Sequence, residues 1–298
     1  MILTGITDEV SSDIDRQIAA CKALGWDWID LRTVGEANIT NITEAEFDSV
    51  LEKLAQANIR VSSFCSSIAS WSRTLEDSPE VDYEEFERAV GRMKKAGTNL
   101  IRVMSYRPPE GADPHDDHVA WEVIRRLATI TRRAEEHGIV CIHENCETWG
   151  GQSYEHTLRL VESLDSPSFR LVFDTGNPFF TRDARRDATS EYQDALAFYR
   201  AVKEYIAYVH IKDGYMDGEN AVFTMPGEGD GSVGEIVSEL HADGYNGAFS
   251  IEPHVAVVYH DPSVTADEKE RWDSFIAYGK QTASLLQAAG YAVPARNI

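Results

Sequence analysis

VCIHENCETWGG, residues 140–151, begins as an apolar strand and ends in a run of polar groups: His143, Glu144, Asn145, Cys146 and Glu147 stand in a row. Burying charged side chains is costly unless they are paired or bind a metal. A core strand with this ending points to a site, and a site needs partners elsewhere in the chain.

Outward from this stretch, short β-rich runs alternate with longer amphipathic helical patterns through all 298 residues. The expected strands are 2–7, 28–32, 60–65, 100–105, 139–144, 170–175, 208–213 and 248–253. The helical patterns that follow them span 13–25, 44–57, 83–97, 118–138, 153–164, 190–205, 232–244 and 267–290. Gly97 and Gly138 stand just past the last apolar residue, where a helix C-cap favours glycine. Strict alternation implies parallel strands joined by helical crossovers. Eight units without a linker predict a closed (β/α)8 TIM barrel, α/β in class. It forms one domain over residues 1–298, with a peripheral tail from about 290. An open doubly wound sheet is the alternative, but no G-x-G-x-x-G or Walker-type loop follows the first strand.

Composition narrows the function. The chain has 28 Lys and Arg against 50 Asp and Glu, a net charge of −22. Such a surface repels polyanions, so no nucleic-acid partner is expected. No apolar run approaches the roughly 20 residues of a membrane-spanning helix. The N-terminus MILTGITDEVSSD has neither the basic nor the apolar region of a signal peptide, which leads us to expect a cytoplasmic protein with no membrane partner. Cys21, Cys65, Cys141 and Cys146 form no C-x-x-C pair and read as buried free thiols.

Active sites of such barrels lie at the C-terminal ends of the strands. Four consecutive strands carry a polar group at matching depth there: Glu144, Asp174, His210 and Glu252. Neighbouring strands lie about 4.8 Å apart, so the four side chains can surround one point. Two Glu, one Asp and one His suit a single divalent cation, with Mn²⁺ first and Mg²⁺, Co²⁺ or Zn²⁺ as alternatives.

The segments HEN (143–145), FDTGNP (173–178), VHIKD (209–213), PGEGDG (226–231) and SIEPH (250–254) resemble, in this order, the xylose isomerase-like barrels, also called sugar phosphate isomerases/epimerases. GITDEVSSD and IDLR near the start resemble a subgroup of them. The resemblance implies that Glu144, Asp174, His210 and Glu252 ligate a metal, and that Glu144 and Glu252 also act as the acid/base pair. The chemistry agrees. Removing a proton beside a carbonyl leaves an enediolate, which a divalent cation stabilises. Two carboxylates on opposite sides of a substrate can take the proton from one face and return it on the other.

Around this set stand further candidates. Asn145 is expected to hold backbone or ligand groups. His143 alternates to the helix side of its strand, yet at a frayed end it turns inward and joins the catalytic residues. Trp149 offers an apolar wall for a sugar or aromatic aglycone, or packs in the core. Lys212 and His254 share the parity of His210 and Glu252 and are candidate substrate contacts, as are Arg32 and Arg107. The loop 224–232 is glycine-rich but acidic and lacks Lys, which argues against a phosphorylated substrate. Asn177 is a further substrate contact. It stands where the ketose 3-epimerases carry histidine, and no arginine follows the strand-seven histidine. Both departures weigh against epimerisation of a free ketose.

The leading expectation is therefore a metal-dependent isomerase or epimerase acting on a keto-sugar or related carbohydrate. A lyase on the same scaffold is its rival: an inosose-type dehydratase, or a C-glycoside deglycosidase acting on 3-oxo-glycosides. In that chemistry His143 or His254 would serve the departing group. A small accessory subunit would accompany a deglycosidase, and a homo-oligomer is the other partner considered. A metal-dependent phosphodiesterase resembling the apurinic endonucleases is remote, given the charge and only nine histidines.

Overall fold

The computed structural model describes residues 1–186, 188–257 and 266–294. Eight strands run parallel: β1 (Ile2–Gly5), β2 (Trp28–Leu31), β3 (Arg60–Cys65), β4 (Leu100–Val103), β5 (Val140–Glu144), β6 (Phe169–Asp174), β7 (Ile206–Ile211) and β8 (Ala248–Ile251). Each pairs with its neighbour in sequence from β2 to β8, and β8 pairs with β1. A single parallel bridge, Ile6 to Asp30, joins the remaining edge and nearly closes the barrel.

Helices Ile14–Ala23, Glu44–Gln56, Glu80–Ala96, Asp117–His137, Tyr154–Leu164, Ala195–Val202, Val233–Ala242 and Glu268–Ala288 follow strands β1 to β8 in turn. Their starts are chemically marked. Thr43 and Glu46 form a reciprocal capping box, and Asp194 accepts from Ala197 N at 2.8 Å. That cap shortens the helix expected over 190–205. The helix expected from 83 instead starts three residues earlier, at Glu80. Gly97 (φ +75°) and Gly138 (φ +64°) take the left-handed C-cap conformation expected of them. No helix among the described residues is long and apolar enough to cross a membrane.

Most expected strands run a few residues too far at their C-terminal ends. The reason is visible at β6: Asp174 Oδ1 accepts from Gly176 N (2.8 Å) and Asn177 N (2.7 Å), which turns the chain out of the ladder. The sequence also left unmarked a hairpin after β2 (Thr33–Val34 with Ala37–Asn38), another after β7 (Gly214–Asp217 with Asn220–Phe223) and the one-turn helix Asn177–Phe180. All three follow strand C-terminal ends, where the cavity opens. Of the tail expected from about 290, residues 295–298 lie outside the described residues. At its start Tyr291 is buried, its ring 4.8 Å from His241 and 5.2 Å from Phe249.

Two apolar cores result. The large one lies between strands and helices. A small one of Ile142, Val172, Tyr208 and Ala248 is separate from it. Ile142, Val172 and Tyr208 stand two residues before Glu144, Asp174 and His210, and the period of two puts each pair on one side of its strand. Below them Tyr208 donates to Asp30 Oδ1 at 2.7 Å and lies 2.7 Å from Ser62 Oγ, a buried polar plug in the barrel.

Candidate metal centre and its cavity

His210 Nδ1 lies 3.1 Å from Glu144 Oε1, 3.8 Å from Glu252 Oε2 and 4.0 Å from Asp174 Oδ2. One ligand atom from each of the four residues falls within 4.8 Å of all the others, and all four residues are buried. Three carboxylates this close repel one another unless a cation joins them. His210 Nε2 is buried with no hydrogen-bond partner, and the buried Asp174 Oδ2 and Glu252 Oε2 share the ammonium of Lys212, which leaves lone pairs on both oxygens unused. Unmet acceptor capacity in an oxygen-rich set fits a hard divalent cation.

Three basic residues surround this set. Lys212 Nζ lies 2.9 Å from Glu252 Oε2 and 3.2 Å from Asp174 Oδ2, and donates to Asn177 Oδ1 at 3.0 Å. Arg32 Nη1 donates to Glu252 Oε1 at 2.6 Å, while its Nε and Nη2 grip Asp8 at 2.9 and 2.8 Å. Arg102 Nη1 lies 3.1 Å from Glu144 Oε2. Burial alone would raise both glutamates. Arg102 and His210 outweigh it and hold Glu144 at about 2. Lys212, His254 and Arg32 hold Glu252 well below its usual range. Burial wins at Asp174, whose carboxyl is raised despite Lys212. His210 is raised because Glu144, Glu252 and Asp174 outweigh its burial.

Asn145 does not line the cavity. Its Nδ2 donates to Asp174 O at 2.9 Å and its Oδ1 accepts from Asp174 N at 2.7 Å. It thus fixes the backbone of a candidate ligand. The catalytic place expected of His143 needs correcting. Its ring stays on the helix side, fully buried, 5.9 Å from the Phe169 ring, with Nε2 3.0 Å from Ser105 Oγ. Burial lowers it to about 4, so it sits there as a neutral ring. Trp149 is not a substrate wall either: it is buried and stacks on His156 at 4.7 Å. Gly150 N donates to Ser105 Oγ at 2.6 Å, which draws the loop inward and takes Trp149 with it.

The metal centre opens into a cavity of about 620 Å³, whose lining includes Arg32, Arg107, Asn177, Lys212 and His254. Arg32 is not an open clamp, since it is occupied by Asp8 and Glu252. His254 has left-handed backbone (φ +54°), its Nδ1 lies 2.8 Å from Glu9 Oε1, and its N donates to Glu9 Oε2 at 2.9 Å. Asp8, Glu9, Trp71 and Arg102 were missed in the sequence. Only Arg102 left a clear signal, as the lone charge in the expected strand LIRVMS. Cys146 also lines the cavity, but burial pushes its thiol up to about 12, which leaves it an inert packing group.

A (β/α)8 barrel with three carboxylates and a histidine gathered on four consecutive strands defines the class. The chain belongs to the xylose isomerase-like TIM barrel family, whose model matches residues 18–276. It is 24% identical over 283 residues to an inosose dehydratase of Bacillus velezensis, covering 81% of this chain and 88% of that protein. In structure it is similar to a D-tagatose 3-epimerase-like protein, with a TM-score of 0.72 and 16% identity over 97% of this chain and 98% of that one. It is also similar to a xylose isomerase-like TIM barrel protein from Mycobacterium smegmatis solved in complex with magnesium (TM-score 0.66, 15% identity, 97% of each chain).

Proposed function

We propose that this chain is a divalent-metal-dependent enzyme that removes a proton beside the carbonyl of a keto-sugar or keto-polyol. The observation that carries the reading is the convergence of Glu144, Asp174, His210 and Glu252 within 4.8 Å, with Glu144 and Glu252 lining a cavity of about 620 Å³. These four residues would hold the cation, Mn²⁺ first by the ligand set, and Asn145 keeps Asp174 in place. When bound, the cation supplies Lewis acidity to the carbonyl and its neighbouring hydroxyl.

The chain's own groups do the rest. Glu144 comes from β5 and Glu252 from β8, so their carboxylates approach a substrate from different sides. One takes the proton from carbon. Arg102 and Arg32 hold the second oxygen of each and fix its aim. Lys212 and Asn177 meet the substrate oxygens beside the centre. Burial of the four ligand residues and of Lys212 strengthens each of these interactions.

Two outcomes follow from one proton removal. Elimination of water across the adjacent carbon–carbon bond is supported by the likeness to an inosose dehydratase over most of the chain. It is supported too by Asn177, which stands where the ketose 3-epimerases carry histidine. In that outcome the C–H and C–O bonds break, a C=C bond forms, and Lys212 Nζ donates the proton that leaves with the hydroxyl as water. Protonation of the opposite face through the other glutamate, which draws its proton from solvent while the first glutamate releases the one it took, gives an epimer instead, and the placement of Glu144 and Glu252 favours this second reading.

Proton exchange in D₂O separates them. The Mn²⁺-loaded protein is incubated with free ketoses, 3-keto-glycosides and inososes, beside Glu144→Gln and Glu252→Gln, and followed by NMR. Deuterium beside the carbonyl with release of water supports elimination, and deuterium in a new epimer supports the second reading. No exchange on any of them in metal-loaded protein would sink the proposal.

A further inference from the structure

Part of the cavity wall comes from the loops after β3 and β4, and these loops are tied backbone to backbone. Met104 N donates to Ile68 O at 3.1 Å, Tyr106 N to Ala69 O at 2.6 Å and Arg107 N to Arg73 O at 2.8 Å. Ala69 (φ +53°) and Tyr106 (φ +62°) both hold left-handed backbone, which residues other than glycine adopt only when their surroundings impose it. The surroundings are on hand. Asp82 Oδ1 accepts from Ala69 N at 3.0 Å, and the Arg126 guanidinium lies 5.1 Å over the Tyr106 ring.

This rigid platform shows two side chains to the cavity. Trp71 is 45% exposed and lines the cavity, whereas the more exposed Trp121 does not. Arg107 lines it as well. The other cations of the lining, Arg32, Arg102 and Lys212, are each ion-paired with a carboxylate of the metal centre. Arg107 forms no ion pair among the described residues, whether with Glu36 or with Glu147 of the same cavity. An arginine fork without an ion pair and an exposed indole lining one cavity make a fitting receptor for a carboxylate carried on a ring.

We propose that Trp71 and Arg107 make the cavity selective for a ring-shaped polyhydroxy substrate bearing a carboxylate. The indole stacks on the C–H face of the ring and the guanidinium pairs with the carboxylate. This deepens the functional reading above and rests on the cavity being the substrate site.

Binding tests it without turnover. The Mn²⁺-loaded protein is titrated by calorimetry with quinate, a cyclohexane polyol carrying a carboxylate, and with myo-inositol, an uncharged ring polyol. We expect quinate to bind about 10- to 100-fold tighter, the range of one charged hydrogen-bonded pair. Arg107→Gln should erase that preference and Arg107→Lys should keep part of it. Trp71→Ala should weaken both ligands about 10-fold, with Trp71→Phe recovering most of the loss. Equal binding of the two ligands, or no binding of quinate, overturns the proposal. A preference that survives Arg107→Gln overturns it too, since the carboxylate would then lie on the metal. No proton moves in these titrations, so this proposal and the proton-transfer reading can fail separately.

Discussion

Strands β5 to β7 and the residue just after β8 each supply one of the four groups that meet around a single point, Glu144, Asp174, His210 and Glu252. Strands β1 to β4 carry none of them. They and their loops bring Arg32, Arg102 and the Trp71 platform to the same cavity, with Asp8 gripping Arg32 from behind. One half of the barrel gathers negative charge, and the other supplies two of the three cations that make its burial tolerable. The ligand half is where a cation would be chosen. The arginine half places Arg102 and Arg32 on one oxygen of each glutamate and contributes Trp71 and Arg107 to the cavity lining. A site of this kind divides its chemistry by strand, and each half can be tested apart from the other.

The strongest break is on the ligand half. Asp174→Ala or His210→Ala should weaken Mn²⁺ binding more than about 100-fold, beyond the loss typical of groups that only orient ligands. Calorimetric titration reads this directly, and chelation of wild-type protein should abolish activity that Mn²⁺ restores. Unchanged affinity in either variant would mean that the four residues do not form one site.

Next comes the arginine half. Arg102→Met leaves Glu144 buried without its counter-charge, which should cost about 3–5 kcal/mol of stability in denaturant melts. Added Mn²⁺ should recover part of that loss, because a cation on Glu144 replaces the missing guanidinium. An equal loss with and without metal would separate the two halves energetically and count against the coupling drawn here.

Asn145→Ala tests the link between a ligand and its support. Both hydrogen bonds to the Asp174 backbone disappear, so metal affinity should fall about 10- to 100-fold with a smaller change in stability. Should stability fall and affinity hold, Asn145 would be a packing residue only.

The smallest effect concerns the platform. Glu122 accepts from Arg126 Nε at 2.6 Å, and Arg126 in turn donates to the carbonyls of Leu75 (2.7 Å) and Asp77 (2.9 Å) beyond the Trp71 loop. Its bond to Arg125 and that to Arg126 hold the Glu122 carboxyl at about 2. A carboxyl lowered in the folded state stabilises it above the unfolded value of about 4.3, and that contribution is lost as pH falls toward 2. The group is partly exposed, so solvent screening keeps the effect below about 1 kcal/mol. Thermal melts of Glu122→Gln should therefore lie slightly below wild type at pH 7 and converge with it near pH 2. A constant gap across that range would mean that the loss is not electrostatic.

The two halves also differ in how legible they are. The ligand half advertised itself, because a buried apolar run ending in a carboxylate or imidazole is a local contradiction that sequence alone exposes. Arg102 gave a fainter version of the same signal. Arg32 read as an ordinary clamp, since its commitment to Glu252 joins residues 220 positions apart. Trp149 read equally as a cavity wall or a core residue and the structure buries it, while Trp71, which no sequence pattern singled out, is the tryptophan that lines the cavity.

What the sequence determined by itself was whatever depends on period and order. Alternating strand and helix patterns specify a parallel barrel, and the period of two puts Glu144, Asp174, His210 and Glu252 on one side of their strands. The tertiary structure alone decided which way the chain turns after each strand leaves the ladder. Ser105 accepts from Gly150 N and the loop carries Trp149 inward. Ala69 and Tyr106 are held left-handed and Trp71 stays out. His143 remains against Phe169. Those choices rest on hydrogen bonds and packing between distant segments, and no local pattern encodes them.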